Sequence, residues 1–214
     1  MKTKAAPAVV AGVVMVASVT GCGGGAPVPE PGAQSSAVGT SSSNQTADAG
    51  AEAPQAFVFE SGVLEIGDFD PFTLGDDLFD PCTEITPEEF AAAGFDRVEP
   101  LPEDLQGLAR GLSVCQVFGP SGMIVADFSN NDANRLQISN QSELFGDFSS
   151  DLLPSIFTYA PKDGIDRGCF AQIDTSRGGL SAGVLGGIED DLRTNCDAAI
   201  SMLEDLYLAN SFQK

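Results

Sequence analysis

The chain contains no histidine and no tryptophan. Without histidine, Ser-His-Asp and Cys-His nucleophilic catalysis are excluded. The commonest protein ligand for zinc and copper is absent too. Basic side chains are scarce: ten Lys and Arg stand against 31 Asp and Glu, for a net charge of −21. Binding to nucleic acid needs clustered Lys and Arg that displace counterions, so no nucleic-acid partner is expected. The same deficit argues against a domain lying flat on anionic lipid. An acidic surface suits solubility and self-repulsion in an exposed protein, or a cationic partner. Long apolar runs are lacking as well. The longest, Ala5 to Val19, has roughly fifteen residues, short of the ~20 that span a bilayer as a helix. No glycine run is followed by a Walker A lysine, and Gly183 to Gly187 do not make G-x-G-x-x-G.

That short apolar run is informative for what surrounds it. Lys2 and Lys4 precede it, and Val19-Thr20-Gly21-Cys22 closes it. A positive n-region, an apolar h-region and small residues before a cysteine make a lipoprotein export signal, excluded from fold reasoning as residues 1–21. The Cys22 thiol is the expected site of acylation (diacylglyceryl and palmitate groups). One acyl chain binds a bilayer marginally, whereas two or more hold stably, at ~0.8 kcal/mol per buried methylene. The expected location is therefore the outer face of the cytoplasmic membrane, within the cell wall, with the membrane contacted through the anchor at Cys22. Residues 22–55 follow, rich in Gly, Ala, Ser, Pro and Thr and without an aromatic residue. Such a segment buries too little apolar surface to offset its ordering entropy and reads as a disordered tether. As a flexible coil its ends would lie about 30 Å apart. Residues 56–214 remain, a normal size for one domain with its own core.

Five cysteines are present. With Cys22 assigned to lipid, Cys82, Cys115, Cys169 and Cys196 are left, an even number in an exported chain and hence two expected disulfides. Three connectivities are open. Cys82–Cys115 and Cys169–Cys196 are favoured because each pair brackets one compact stretch, each contributing ~3–4 kcal/mol on the chain-entropy account. The competing Cys₄ metal site lacks any C-x-x-C spacing, so no metal is expected.

Along the domain, Phe57 to Ile66 reads as a strand or hairpin, and Gly67 to Asp80 as an acidic, aromatic loop. Thr86-Pro87-Glu88-Glu89 starts a helix with a capping box, and Gly94 stops it. Pro100 to Gly111 holds one or two helical turns. Leu112–Phe118 and Met123–Phe128 form a hairpin about Gly119-Pro120-Ser121-Gly122. Arg135 to Ser139 reads as a strand and Ser149 to Phe157 as a helix. Gly168–Asp174 and Leu180–Leu185 read as strands, and Asn195 to Leu208 as an amphipathic helix with Cys196 in its first turn. The expected fold is α+β: an antiparallel sheet of about four to six strands, helices on one face, two disulfides.

Two motifs tempt a functional reading. Gly179-Leu180-Ser181-Ala182-Gly183 matches the G-x-S-x-G nucleophile elbow. No histidine exists to take the serine proton, and neither Lys162 nor Lys214 has a motif around it, so a glycine-rich strand or turn is expected. Asp68, Asp70, Asp76, Asp77 and Asp80 supply carboxylates of the kind calcium prefers, with Asn130-Asn131-Asp132 as a second cluster. Neither has EF-hand spacing, and a solvated loop is expected.

Asp80-Pro81-Cys82, followed by Thr86-Pro87-Glu88-Glu89 and Phe90, resembles the opening of an actinobacterial lipoprotein family, domain of unknown function 3558. The order of parts is similar too. A cysteine closes a strand in Ser113-Val114-Cys115, and a late cysteine opens the terminal helix in Asn195-Cys196-Asp197-Ala198-Ala199. The resemblance covers about residues 78–208. One departure is that Gln116 and Val117 follow Cys115 where members often carry a tryptophan. The resemblance implies an exported, disulfide-bonded α+β domain and supplies no catalytic residues. The sequence reading is thus a membrane-anchored binding or interaction module, not an enzyme. It needs no cofactor, and its partner is an envelope protein, a lipid or a glycan. A glycan-acting enzyme using paired carboxylates is the alternative.

Overall fold

The computed structural model describes residues 55–162, 168–186 and 191–211. The signal, Cys22 and residues 23–54 of the tether lie outside the described residues. The chain opens with a hairpin, β1 (Ala56–Phe59) and β2 (Gly62–Glu65), paired from Ala56↔Glu65 to Phe59↔Gly62. Two short helices follow. In α1 (Pro81–Glu84), the Asp80 carboxylate accepts from Cys82 N. In α2 (Pro87–Ala92), the expected capping box is present: Glu89 N donates to Thr86 Oγ1 and Thr86 N to Glu89 Oε2. Gly94 follows with a φ of +92°, the left-handed position that ends helices.

The main sheet has seven strands in the order β3-β4-β5-β9-β8-β7-β6, and every neighbouring pair is antiparallel. They are β3 (Val98–Pro100), β4 (Val114–Phe118), β5 (Ile124–Asn131), β6 (Ser142–Phe145), β7 (Phe157–Pro161), β8 (Cys169–Thr175) and β9 (Gly178–Val184). A 3-10 helix, Glu103–Ala109, links β3 to β4. The α+β class is as expected, and the sheet is wider than four to six strands.

Two segments differ from the sequence reading. Arg135–Gln141 is a helix, α3, where a strand was expected. Asn134 and Gln137 close a capping box on each other, Gln137 N to Asn134 Oδ1 at 3.1 Å and Asn134 N to Gln137 Oε1 at 3.3 Å. Asn-x-x-Gln does the work of the more familiar Ser/Thr-x-x-Glu signal. Ser149–Phe157 is not a helix. The Ser150 hydroxyl accepts from Leu152 N and Leu153 N, and Ile156 N turns back to Leu153 O. Pro154 disfavours helical geometry at Leu153, and Phe157 enters β7.

The last helix, α4 (Leu192–Ala209), is longer than expected, so Cys196 lies in its second turn rather than its first. Its buried stripe of Ala199, Ile200, Leu203 and Leu206 packs on β8 and β9. Alternation along the strands gives this inner face Phe128, Ala171, Ile173, Leu180 and Ala182, all fully buried. Each large side chain removed from water here contributes roughly 1.5–3 kcal/mol. The β1–β2 hairpin closes the same core, Phe57 meeting Tyr207 edge-on at 5.5 Å and Phe59 stacking on Phe79 at 5.5 Å. The structure pairs Cys82 with Cys115 and Cys169 with Cys196, at Cα separations of 5.4 and 5.0 Å. The second bridge fixes α4 to β8.

Candidate functional site: an apolar cleft and the outer sheet face

Beside the β4–β5 hairpin lies a cleft of about 580 Å³. Phe95, Val117, Phe118, Val125 and Met202 give it apolar walls, and Asp96 and Arg97 lie at its lining. Arg97 is held in place by Glu99 (2.7 Å) and by the Phe118 ring, 4.1 Å from its guanidinium carbon. Val125 in its wall is 43% exposed, and Met123 in the adjoining hairpin turn is 66% exposed. A glycine-bearing turn places these side chains in solvent: Gly119 N and Gly122 N close it, donating to Met123 O and Gly119 O.

The outer face of the sheet, opposite α4, has a different chemistry. Strand register puts Asp127, Ser129 and Asn131 of β5 across from Gly183, Ser181 and Gly179 of β9. Next to these come Phe170, Gln172 and Asp174 of β8, then Phe157 and Tyr159 of β7. The Ser129 and Ser181 hydroxyls are 2.9 Å apart, and Ser181 Oγ also donates to Ser129 O. Asn131 Nδ2 donates to Gln172 Oε1 at 3.0 Å and to the Tyr159 hydroxyl at 3.4 Å. Gln172 Nε2 donates to Asp174 Oδ1 and to Ala133 O. Burial pushes the Tyr159 hydroxyl up to about 12, against the opposing effect of hydrogen bonds from Asn131 and Ser181.

G-x-S-x-G is thus a strand, as the sequence suggested. Its period of two sets Gly179, Ser181 and Gly183 on one face, and the glycines leave room for neighbouring side chains to lie across β9. A Cβ at Gly179 would strike the Gln172 amide at 2.3 Å. A Cβ at Gly183 would meet the Phe170 ring at 2.7 Å and Asp127 Oδ1 at 2.9 Å. Ser181 is buried, with its hydroxyl engaged by Ser129. Lys162 donates to Asn140 O, and Lys214 lies outside the described residues.

Asp127 is the residue that sequence reasoning missed. It sits mostly buried, and that burial pushes its carboxyl up to about 6. Its signal was weak: one acid in the apolar run Ile124 to Phe128, with nothing to mark the glycine across from it.

The acidic loop residues are dispersed. Asp70 accepts from Phe72 N, Asp77 pairs with Arg177, and Asp80 caps α1. Asp68 lines a second cleft, of about 450 Å³, with Asp174 and Arg135. Burial raises the Asp174 carboxyl, opposed by the hydrogen bonds from Gln172 and Arg135 N. Asn130 accepts from Ser113 N, and Asn131 Oδ1 from Ala133 N. Among the described residues no three Cys, Asp or Glu side chains gather as metal ligands, and no helix is long and apolar enough to cross a membrane. A third cleft, about 580 Å³, is lined by Asp80, Cys82 and the 3-10 helix. There Ser113 Oγ donates to Asp80 Oδ1 and approaches Cys82 Sγ at 2.9 Å.

No curated protein and no solved structure matches the chain. A family model described as "Protein of unknown function (DUF3558)" matches residues 17–209. That span takes in the Asp80-Pro81-Cys82 opening, both disulfides and all of α4, so the chain belongs to the DUF3558 family.

Proposed function

We propose that this is a cell-envelope lipoprotein, acylated at Cys22 and held on the outer face of the cytoplasmic membrane within the cell wall. Its domain is a binding module rather than an enzyme, and the ligand has an apolar body. The observation that carries this reading is the cleft of about 580 Å³ beside the β4–β5 hairpin, with half-exposed Val125 in its wall. Concave, mainly apolar sites with a few fixed polar groups are typical of small-molecule recognition. Here Arg97, braced by Glu99 and Phe118, is the fixed polar group. An acyl chain, as part of an envelope lipid, meets that description. A carboxylate-based glycan-acting enzyme fits less well. Asp68 and Asp174 share a cleft, but both oxygens of Asp174 are occupied, by Gln172 Nε2 and Arg135 N.

The test is binding of the uncharged fluorophore N-phenyl-1-naphthylamine to the intact protein. Its fluorescence is expected to rise and saturate. Ala198→Trp, which fills the cleft from α4, should abolish the rise without lowering the unfolding midpoint. An undiminished rise in that variant would remove the cleft from the account.

A further inference from the structure

Four arginines of the described residues, Arg97, Arg135, Arg177 and Arg193, are committed elsewhere. Arg97 pairs with Glu99 and stacks on Phe118. Arg135 lies over Phe157, and Arg193 over Phe148. Arg177 holds Glu84 and Asp77. None of these contacts reaches Asp127. Its carboxylate takes part in none of the hydrogen bonds or ion pairs described above, although it is mostly buried. A carboxylate in that position ordinarily acquires a counter-charge or a proton. What it has instead is an aromatic neighbour. Gly183 lacks a side chain, so the Phe170 ring and Asp127 Oδ1 both come within 2.7–2.9 Å of where a Cβ would stand. Phe170 in turn stacks on Tyr159, with ring centroids 5.4 Å apart, and Asn131 steadies the Tyr159 hydroxyl.

We propose that the outer sheet face around Asp127, Phe170 and Tyr159 binds an organic cation, an ammonium or guanidinium head on an apolar body. The charge sits beside the Asp127 carboxylate, and the substituents lie against the Phe170–Tyr159 stack. Charge complementarity selects this occupant. A carboxylate without a counter-ion and an aromatic face both attract cations, the ring through its quadrupole. A chain of net charge −21 draws them in at long range. An anionic ligand is repelled by the same features, and a neutral one leaves the carboxylate uncompensated. The inference is independent of the cleft beside the hairpin.

The experiment is titration of the intact protein with benzyltrimethylammonium chloride, followed by tyrosine fluorescence. The chain has two tyrosines and no tryptophan to mask them, and sodium chloride serves as the ionic-strength control. A saturable change is expected that sodium chloride does not reproduce. Asp127→Asn should weaken it by about tenfold or more, and Phe170→Leu by a few-fold. Ala198→Trp should leave it unchanged, so that failure here and failure of the cleft reading stay distinguishable. Thermal unfolding of each variant confirms folding, and Asp127→Asn, which removes a buried charge, should be at least as stable as the parent. A response no different from sodium chloride would overturn the proposal, as would unaltered affinity in Asp127→Asn. A concentration-dependent dimer that Asp127→Asn dissolves, with no saturable probe binding, would overturn it in favour of a second copy on this face.

Discussion

The same strands present one face to α4 and another away from it, and the two faces solve opposite problems. On the inner face, Phe128, Ala171, Ile173, Leu180 and Ala182 meet Ala199, Leu203 and Leu206 in a dry core. On the outer face the register-matched positions carry Asp127, Ser129, Asn131, Ser181, Gln172 and Asp174. Most of these bond to one another, beside the stacked Phe170 and Tyr159 rings. The inner face derives its strength from area removed from water, which is forgiving of exact chemistry. The outer face buries polar groups, where each unmatched partner is costly.

The largest effect should come from the inner face. Leu203→Ala removes a side chain with no solvent exposure and should cost about 2–5 kcal/mol, read as a lowered denaturant midpoint with an unchanged slope. A loss no greater than that of an outer-face substitution would break the comparison. Next comes Asp127→Asn, expected to stabilise the fold at neutral pH by on the order of 2 kcal/mol, because a charge forced into a poorly hydrated site disappears. The smallest is Ser181→Ala. It removes one member of the Ser129–Ser181 pair and should cost about 0.5–1.5 kcal/mol. Binding of the naphthylamine probe in the hairpin cleft should be untouched. Loss of every measurable function in a folded Ser181→Ala protein would instead restore the nucleophile reading.

Much of the inner face was legible in the sequence. The spacing of Ala199, Ile200, Leu203 and Leu206 marked α4, Thr86 and Glu89 marked α2, and Gly119 to Gly122 marked the β4–β5 turn. Those signals are local, carried by periodicity or by a cap. Strands β3, β6 and β7 were not legible because they are three to five residues long and exist by pairing with neighbours distant in sequence. Helix α3 was missed because its caps are amides and Ile138 is its only buried residue. The outer face was partly visible: G-x-S-x-G could be read as one face of a strand. Opposite which residues that face would fall depends on the β5–β9 register, a property of the folded sheet. Asp127 therefore stayed hidden in an apolar run.

The most direct test of the contrast is the pH dependence of the stability difference between Asp127→Asn and the parent. The Asp127 carboxyl rises from an ordinary 3.8 to about 6 on folding, so the folded protein holds its proton more tightly than the unfolded chain. The penalty is absent below the unfolded value, grows as pH rises between the two, and is complete above the folded value. The difference in unfolding free energy should be near its floor at about pH 3.5 and grow by on the order of 2 kcal/mol by about pH 7, in favour of the variant. A difference that stays flat across that interval, or grows in favour of the parent, would show that Asp127 is compensated in the folded protein and would contradict the account of the outer face.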